Sequence, residues 1–155
     1  MVPKAGKAGL SQGGPAGPGP VAEARIVEKE LSYAVTGCAQ RVHSSLGPGF
    51  PEGVYRRALC RELTASGIPF VAEKSYVVSF RGATCGRFRA DIVADERIIL
   101  ELKAASDLCE DNVSQAFAYL EATGLPLAIL LNFGRRRLQT KRIVMSRGPS
   151  DSGDS

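Results

Sequence analysis

The chain is expected to fold as an α/β domain, a sheet with helices packed on it. Three observations predict this. Residues 23 to 46 place Val27, Leu31, Ala34, Val35, Cys38, Val42 and Leu46 at helical spacing on one face. Residues 75 to 105 hold short strand-like runs separated by turn residues. Residues 125 to 133, "LPLAILLNF", are almost wholly apolar, as in a central strand buried on both faces.

The elements follow in order. "GPG" at 47 to 49 stops the first helix. Pro51 suits the first position of a second helix, which runs to about Ser66 with Gly67 as its C-terminal cap. "SYVVSF" (75 to 80), a turn at "RGATCG" and "RFRADIVA" (87 to 94) read as a hairpin. "RIILELKAA" (97 to 105) is a third strand. A polar loop then leads to a helix from about Asn112 to Ala122, with Asp111 or Asn112 as N-cap and Gly124 closing it. The apolar run follows, and "RIVMS" (142 to 146) fits a last short strand.

Composition sets the bounds. Residues 1–20 and 147–155 are rich in Gly, Pro, Ala, Ser and charge, and are expected to be disordered tails. The remaining stretch, 21–146, is roughly 125 residues, enough for one domain with a real core. There is no apolar run of 18 or more residues and no signal peptide, so a cytoplasmic chain that does not span a membrane is expected. Cys38, Cys60, Cys85 and Cys109 lie 22 to 25 residues apart with no CxxC, which argues against a zinc ribbon and for small buried thiols. A net charge of +4 and a pI near 9.0 point mildly to a polyanionic partner. The basic residues cluster as Arg81, Arg87 and Arg89, and as Arg135, Arg136, Arg137, Lys141 and Arg142; either cluster is also compatible with a plain solvated edge.

The informative residues are the charges inside the strands "RADIVADERIILELKAA". Strand side chains alternate, so Phe88, Ala90 and Ile92 should share one face and Ile98, Leu100 and Leu102 another. Keeping charge out of the core requires these faces to coincide, so Ile92 must pair with an even-numbered residue such as Leu100. A loop of three residues, Asp95 to Arg97, produces that register. Asp91 then faces Glu101, at roughly 5 Å between β-carbons, with Lys103 two residues along. Two carboxylates so close repel unless a cation lies between them. Oxygen donors without sulfur or imidazole suit Mg²⁺, with Mn²⁺ as a substitute. A protonated lysine cannot ligate the metal, but can orient a water or stabilise charge on a phosphate. The alternative is a polar sheet face carrying ordinary ion pairs.

Two helices add candidates. Gln115 and Tyr119 are four apart and share a face, near a helix start of the kind that attracts phosphate. Glu52 shares a helical face with Tyr55, Leu59 and Glu62, the packed side. His43, the only histidine, either lies near this site or caps its helix.

"GPGFPEGVYRRALCREL" resembles the signature of the GxxExxY proteins, with Gly49, Glu52 and Tyr55 at the defining positions. The "FRADIV", "ILELKA", "QAFAYL" and "LLNFG" blocks follow in that family's order, so the resemblance covers roughly residues 25 to 145. Where that family commonly has an aliphatic pair before the glutamate, this chain has Phe50 and Pro51. The resemblance places the chain in the PD-(D/E)XK nuclease superfamily. It implies a restriction-endonuclease-like fold, a mixed central β-sheet flanked by α-helices. It also implies a Mg²⁺-dependent site in which Asp91 is the motif aspartate, Glu101 and Lys103 form the ExK element, Gln115 and Tyr119 match a QxxxY helix motif, and Glu52 assists. The backbone carbonyl of Leu102 is expected beside the metal.

Together these readings point to hydrolysis of phosphodiester bonds in nucleic acid, DNA more than RNA. The basic residues 135–137, 141 and 142 would supply phosphate contacts. A catalytically silent nucleic-acid-binding module, or an interaction domain whose charged face is an ion-pair network, would carry the same pattern. Oligomeric state is open.

Overall fold

The computed structural model of the protein describes residues 20–145; the expected tails lie outside them, apart from Pro20. The order is α1 (Pro20–Leu46), α2 (Glu52–Ala65), β1 (Phe70–Phe80), β2 (Ala83–Ala94), β3 (Ile98–Lys103), α3 (Glu110–Thr123), β4 (Leu127–Asn132) and β5 (Gln139–Val144). The five strands form one mixed sheet in the order β1-β2-β3-β4-β5, antiparallel except for the parallel β3–β4 pair. The α3 helix is the crossover that this parallel pair requires.

Helices cover both faces. Val35, Cys38 and Val42 of α1 and Tyr55, Leu59 and Leu63 of α2 pack on Ile92, Ile98, Leu100, Leu102, Ile129 and Leu131. Ala116 and Leu120 of α3 pack against Ala90, Val93, Ile99, Ala128 and Leu130 on the other face. All six residues of β4 are buried, which explains its unbroken apolar run.

Most of the expected elements form, with four corrections. The β1 strand begins at Phe70 and β5 at Gln139, both earlier than periodicity placed them. The hairpin turn is only Arg81 and Gly82, both with left-handed φ, as a two-residue turn matched to strand twist requires. The α3 helix begins at Glu110, and Cys109 is its N-cap, with its amide donating to Asn112 Oδ1 at 2.9 Å. The cysteines are free, but only Cys38 is buried; Cys60 is half-buried, while Cys85 and Cys109 are exposed. Cys85 lies near the hairpin tip and Cys109 at a helix start, where no core is available to cover them.

The α2 helix ends in a Schellman motif. Ile68 N donates to Leu63 O and Gly67 N to Thr64 O, with Gly67 at φ 73°. Its start is held by the fully buried Tyr55, whose hydroxyl donates to Gly47 O at 2.6 Å and accepts from Phe50 N at 3.1 Å. Gly49, at φ 117°, occupies a conformation that side chains rarely adopt. Thus the glycine and tyrosine of the GxxExxY signature shape the turn that carries Glu52. Tyr55→Phe removes both hydrogen bonds and leaves the stack, so it is expected to cost about 1–2 kcal/mol, read as a lower melting temperature.

Candidate active site

The site lies where β2 and β3 part. Their ladder runs through Ala94–Ile98, Val93–Ile99 and Ile92–Leu100, the register required by the apolar faces. The connection is Asp95 to Arg97, with Asp95 and Glu96 both at positive φ and Arg97 N donating to Ala94 O. One pair further on, side chains replace the ladder. Leu102 N donates to Asp91 Oδ2 at 2.8 Å, and Asp91 N donates to Glu101 Oε2 at 3.0 Å. Each carboxylate takes an amide from the opposite strand, and each keeps a second oxygen.

This exchange overturns one face assignment. Ala90 packs on the α3 side, and Phe88 stacks on Tyr119 of α3 at 4.0 Å between ring centroids. Ile92 packs on the α1–α2 side. Phe88, Ala90 and Ile92 therefore do not share a face; the strand reverses its sides at Asp91. On the neighbouring strand Glu73 lies between the partners of Ile92 and Ala90 and has φ 54°. Strict alternation fails because both strands break from regular β geometry at this one level.

Burial and like charge dominate the electrostatics. Glu101 is only 4% exposed. Burial, and behind it the Asp91 carboxylate, raise its pKa to about 7, against the opposing pull of the Asp91 amide and Lys103. Burial also raises Asp91, opposed by the Leu102 amide, Arg56 and Lys103. Glu52 is raised by burial and then by Asp91, with Lys103 and Arg56 opposing. Tyr119 is raised by burial and then by Glu101 and Asp91, so it too belongs to this neighbourhood. Acids held upward by each other and by poor solvation are a common mark of functional sites.

The expected residues are thus only partly gathered. Glu52, Asp91, Glu101, Lys103 and Tyr119 form one electrostatic group. Gln115 is exposed, one turn before Tyr119 and in the second turn of α3 rather than the first. Among the described residues no three of His, Cys, Asp and Glu come close enough to hold a metal ion, so Glu52 does not close a triad with Asp91 and Glu101. The five basic candidates also divide. Arg135, Arg136 and Arg137 are exposed in the loop after β4, around a cavity of about 910 Å³ shared with Ser106 and Gln139. Lys141 lines a separate depression beside the start of α3. Arg142 lies on the opposite side of β5 and donates to Ser32 Oγ of α1.

Sequence reasoning missed four residues. Arg56 is one helical turn after Glu52, a spacing that could have revealed it; its guanidinium is 3.6 Å from Glu73. Glu73 itself, also 3.4 Å from Arg89, gave no signal because its left-handed backbone is invisible in composition. Asn132 was visible as the one polar residue in an apolar run. Fully buried, its Oδ1 accepts from Ala105 N and Gly134 N, and its Nδ2 donates to Ala105 O and Gln139 Oε1. Gly134 packs against the same segment, and Phe133 N donates to Lys103 O at 2.8 Å. These contacts hold the backbone that follows Lys103. Phe133 also stacks on Tyr55 at 4.7 Å, and His43 Nε2 is 2.8 Å from Arg135 O. His43 is therefore a buried bracket for the basic loop.

The split β-ladder, the acid pair and the lysine thus lie together on a mixed sheet. A family model of the PD-(D/E)XK nuclease superfamily matches residues 29–143, and the chain belongs to that superfamily. Its members are typically nucleases and generally use divalent metals. Solved structures that resemble it include two of low identity. One, described as the crystal structure of SSO0001, has a TM-score of 0.50 and 15% identity, covering 83% of this chain and 59% of that one. The other is an alkaline exonuclease from Laribacter hongkongensis, with a TM-score of 0.43 and 12% identity, covering 56% of this chain and 52% of that one. The chain spans little more than half the length of each. No curated protein sequence matches it. The fold is restriction-endonuclease-like, a mixed five-stranded sheet between helices.

Proposed function

We propose that the protein is a divalent-metal-dependent nuclease of the GxxExxY type, acting on DNA at Asp91, Glu101 and Lys103. The observation that carries this reading is the reciprocal carboxylate-to-amide exchange at the end of the β2–β3 ladder. It holds two acids side by side in a buried setting, where burial and the Asp91 carboxylate raise the pKa of Glu101 to about 7.

The donor set fits a hard cation. Asp91 and Glu101 each have one oxygen beyond the one that accepts an amide, and the Leu102 carbonyl adjoins them. Mg²⁺ is commonly held by one or two carboxylates, with water and substrate phosphate filling its other positions, so a closed protein triad is not required. Such an ion would supply Lewis acidity toward water and phosphate. The chain's own residues do the rest. Lys103, two residues from Glu101 on β3, donates hydrogen bonds to the phosphate or the attacking water and offsets developing negative charge. Arg56 and Lys103 counter the collected acids. Glu52 orders solvent beside the acids, and Tyr119 stacks on Phe88 of the strand that carries Asp91, which braces that strand against α3. The Arg135–Arg137 loop, tied to the backbone after Lys103, gives phosphate contacts that salt should weaken.

The test is cleavage of single-stranded and duplex DNA, and of RNA of the same sequence, with Mg²⁺, Mn²⁺ or EDTA. Wild type should cut DNA only with metal. Asp91→Asn, which keeps an acceptor for Leu102 N, and Lys103→Met should fold and lose cleavage. Equal cutting by wild type and both variants would refute the assignment.

A further inference from the structure

The β1–β2 hairpin continues well past the sheet. Its pairing with β3 ends at Ile92, yet β1 and β2 go on pairing with each other from Ser75–Arg89 to Phe80–Ala83. That extension is roughly 20 Å of two-stranded ribbon at ordinary strand rise. Only its root is braced, where Tyr76 stacks on Phe88 and Phe88 on Tyr119. Beyond the root Val77, Val78 and Phe80 are exposed, Phe80 by 64%. An isolated ribbon is marginally stable in water, and exposed apolar groups grouped on one are a mark of a contact surface.

The charge of this arm is one-sided. Between Lys74 and Ala90 there are four basic residues, Lys74, Arg81, Arg87 and Arg89, and no acid. Arg89 is paired with Glu73 at the root. Among the described residues Arg81 and Arg87 have no acidic partner; Arg81 lies over the Phe80 ring at 5.2 Å. The arm also springs from the catalytic level, because Glu73 and Asp91 are where its two strands leave regular geometry.

We propose that this arm grips duplex DNA beside the cleavage site, with Arg81 and Arg87 on the phosphate backbone. The inference rests on the nuclease reading and names its substrate as double-stranded. A two-stranded ribbon is one of the elements that a major groove about 12 Å wide admits. A single-strand binder would instead present aromatic faces for base stacking. Here the Tyr76 and Phe88 faces are used in stacking within the protein, which leaves only Phe80 at the tip. The β-bulge between Val78 and Ser79 adds twist to the ribbon near that tip.

The experiment is fluorescence anisotropy with a labelled duplex of ~20 base pairs and its single strand, in Ca²⁺ across a salt series, followed by cleavage kinetics in Mg²⁺. Arg81→Ala/Arg87→Ala is compared with wild type and with Lys29→Ala/Arg61→Ala, which removes the same charge from exposed positions on α1 and α2. The arm variant should melt with wild type, bind duplex about tenfold more weakly near 0.1 M salt, and lower the log–log salt slope by about 2. Its KM should rise with kcat unchanged, and the control pair should behave as wild type. Wild-type binding and cleavage with no loss in the arm variant would overturn the arm while leaving the nuclease reading intact. An equal loss on single strands, or an equal loss in the control pair, would also overturn it. Failure of wild type to bind either DNA would remove both proposals.

Discussion

Gly134→Ala is expected to be the most damaging single-methyl change in this chain. A Cβ at 134 would collide with Ala105 O and lie 2.5 Å from Ala105 N and 2.7 Å from Ala104 C. All three are backbone atoms, so no flexible side chain can move aside. Relief requires the segment after β3 to separate from the loop after β4. That motion would strain or break the Asn132 bonds to Ala105 and Gly134, in a buried setting where each lost bond costs about 1–3 kcal/mol. With overpacking added, the loss should reach about 3 kcal/mol or more, a fall in melting temperature of about 10 °C or more. The same displacement would move Lys103, whose carbonyl accepts from Phe133 N. On the proposed reading, surviving folded protein should therefore lose cleavage of every substrate. Gly134→Ala melting within ~2 °C of wild type would mean that this packing is not tight.

Glu101→Gln is expected to do the opposite and stabilise the metal-free protein at alkaline pH. Burial and the neighbouring Asp91 raise Glu101 from 4.5 to about 7. The folded chain then binds this proton more tightly than the unfolded chain does. Stability is therefore greatest below about pH 4.5 as far as this group is concerned, and falls as pH rises toward 7. Asp91, Glu52 and Glu28 are also raised, first by burial, so their contributions have the same sign. In EDTA the wild type should melt lower at pH 8 than at pH 6. Glu101→Gln keeps an oxygen to accept from Asp91 N and removes the charge. It should gain up to about 3 kcal/mol at pH 8 and lose much of the slope between pH 6 and 8. On the proposed reading, Mg²⁺ should raise the melting temperature of wild type at pH 8 and not that of the variant. A variant less stable than wild type at pH 8 would show that the Glu101 charge is already compensated within the protein.

Much of the site could be read from periodicity. Charges at Asp91, Glu101 and Lys103 break runs that are otherwise apolar, and only one strand register keeps them out of the core. That register, Ile92 opposite Leu100, forms with its three-residue connection. The Glu52 and Tyr119 positions followed from helical spacing and from the motif blocks. Gln115 followed from the same spacing; it is exposed, and it lies in the second turn because α3 begins two residues earlier than its capping residues suggested. Cys109 is an uncommon N-cap, and propensity favoured the residues after it.

The sequence alone determined the element order, the β2–β3 register and the acid pair. These follow from local periodicity, turn chemistry and the cost of burying charge, all of which act over a few residues. Only the tertiary structure decided that β2 reverses its faces at Asp91, that the hairpin stands free as an arm, and that Asn132 and Gly134 clamp the backbone after Lys103. Each depends on residues brought together from distant strands, where one amide or one missing Cβ settles the geometry. No pattern within a single segment carries that information.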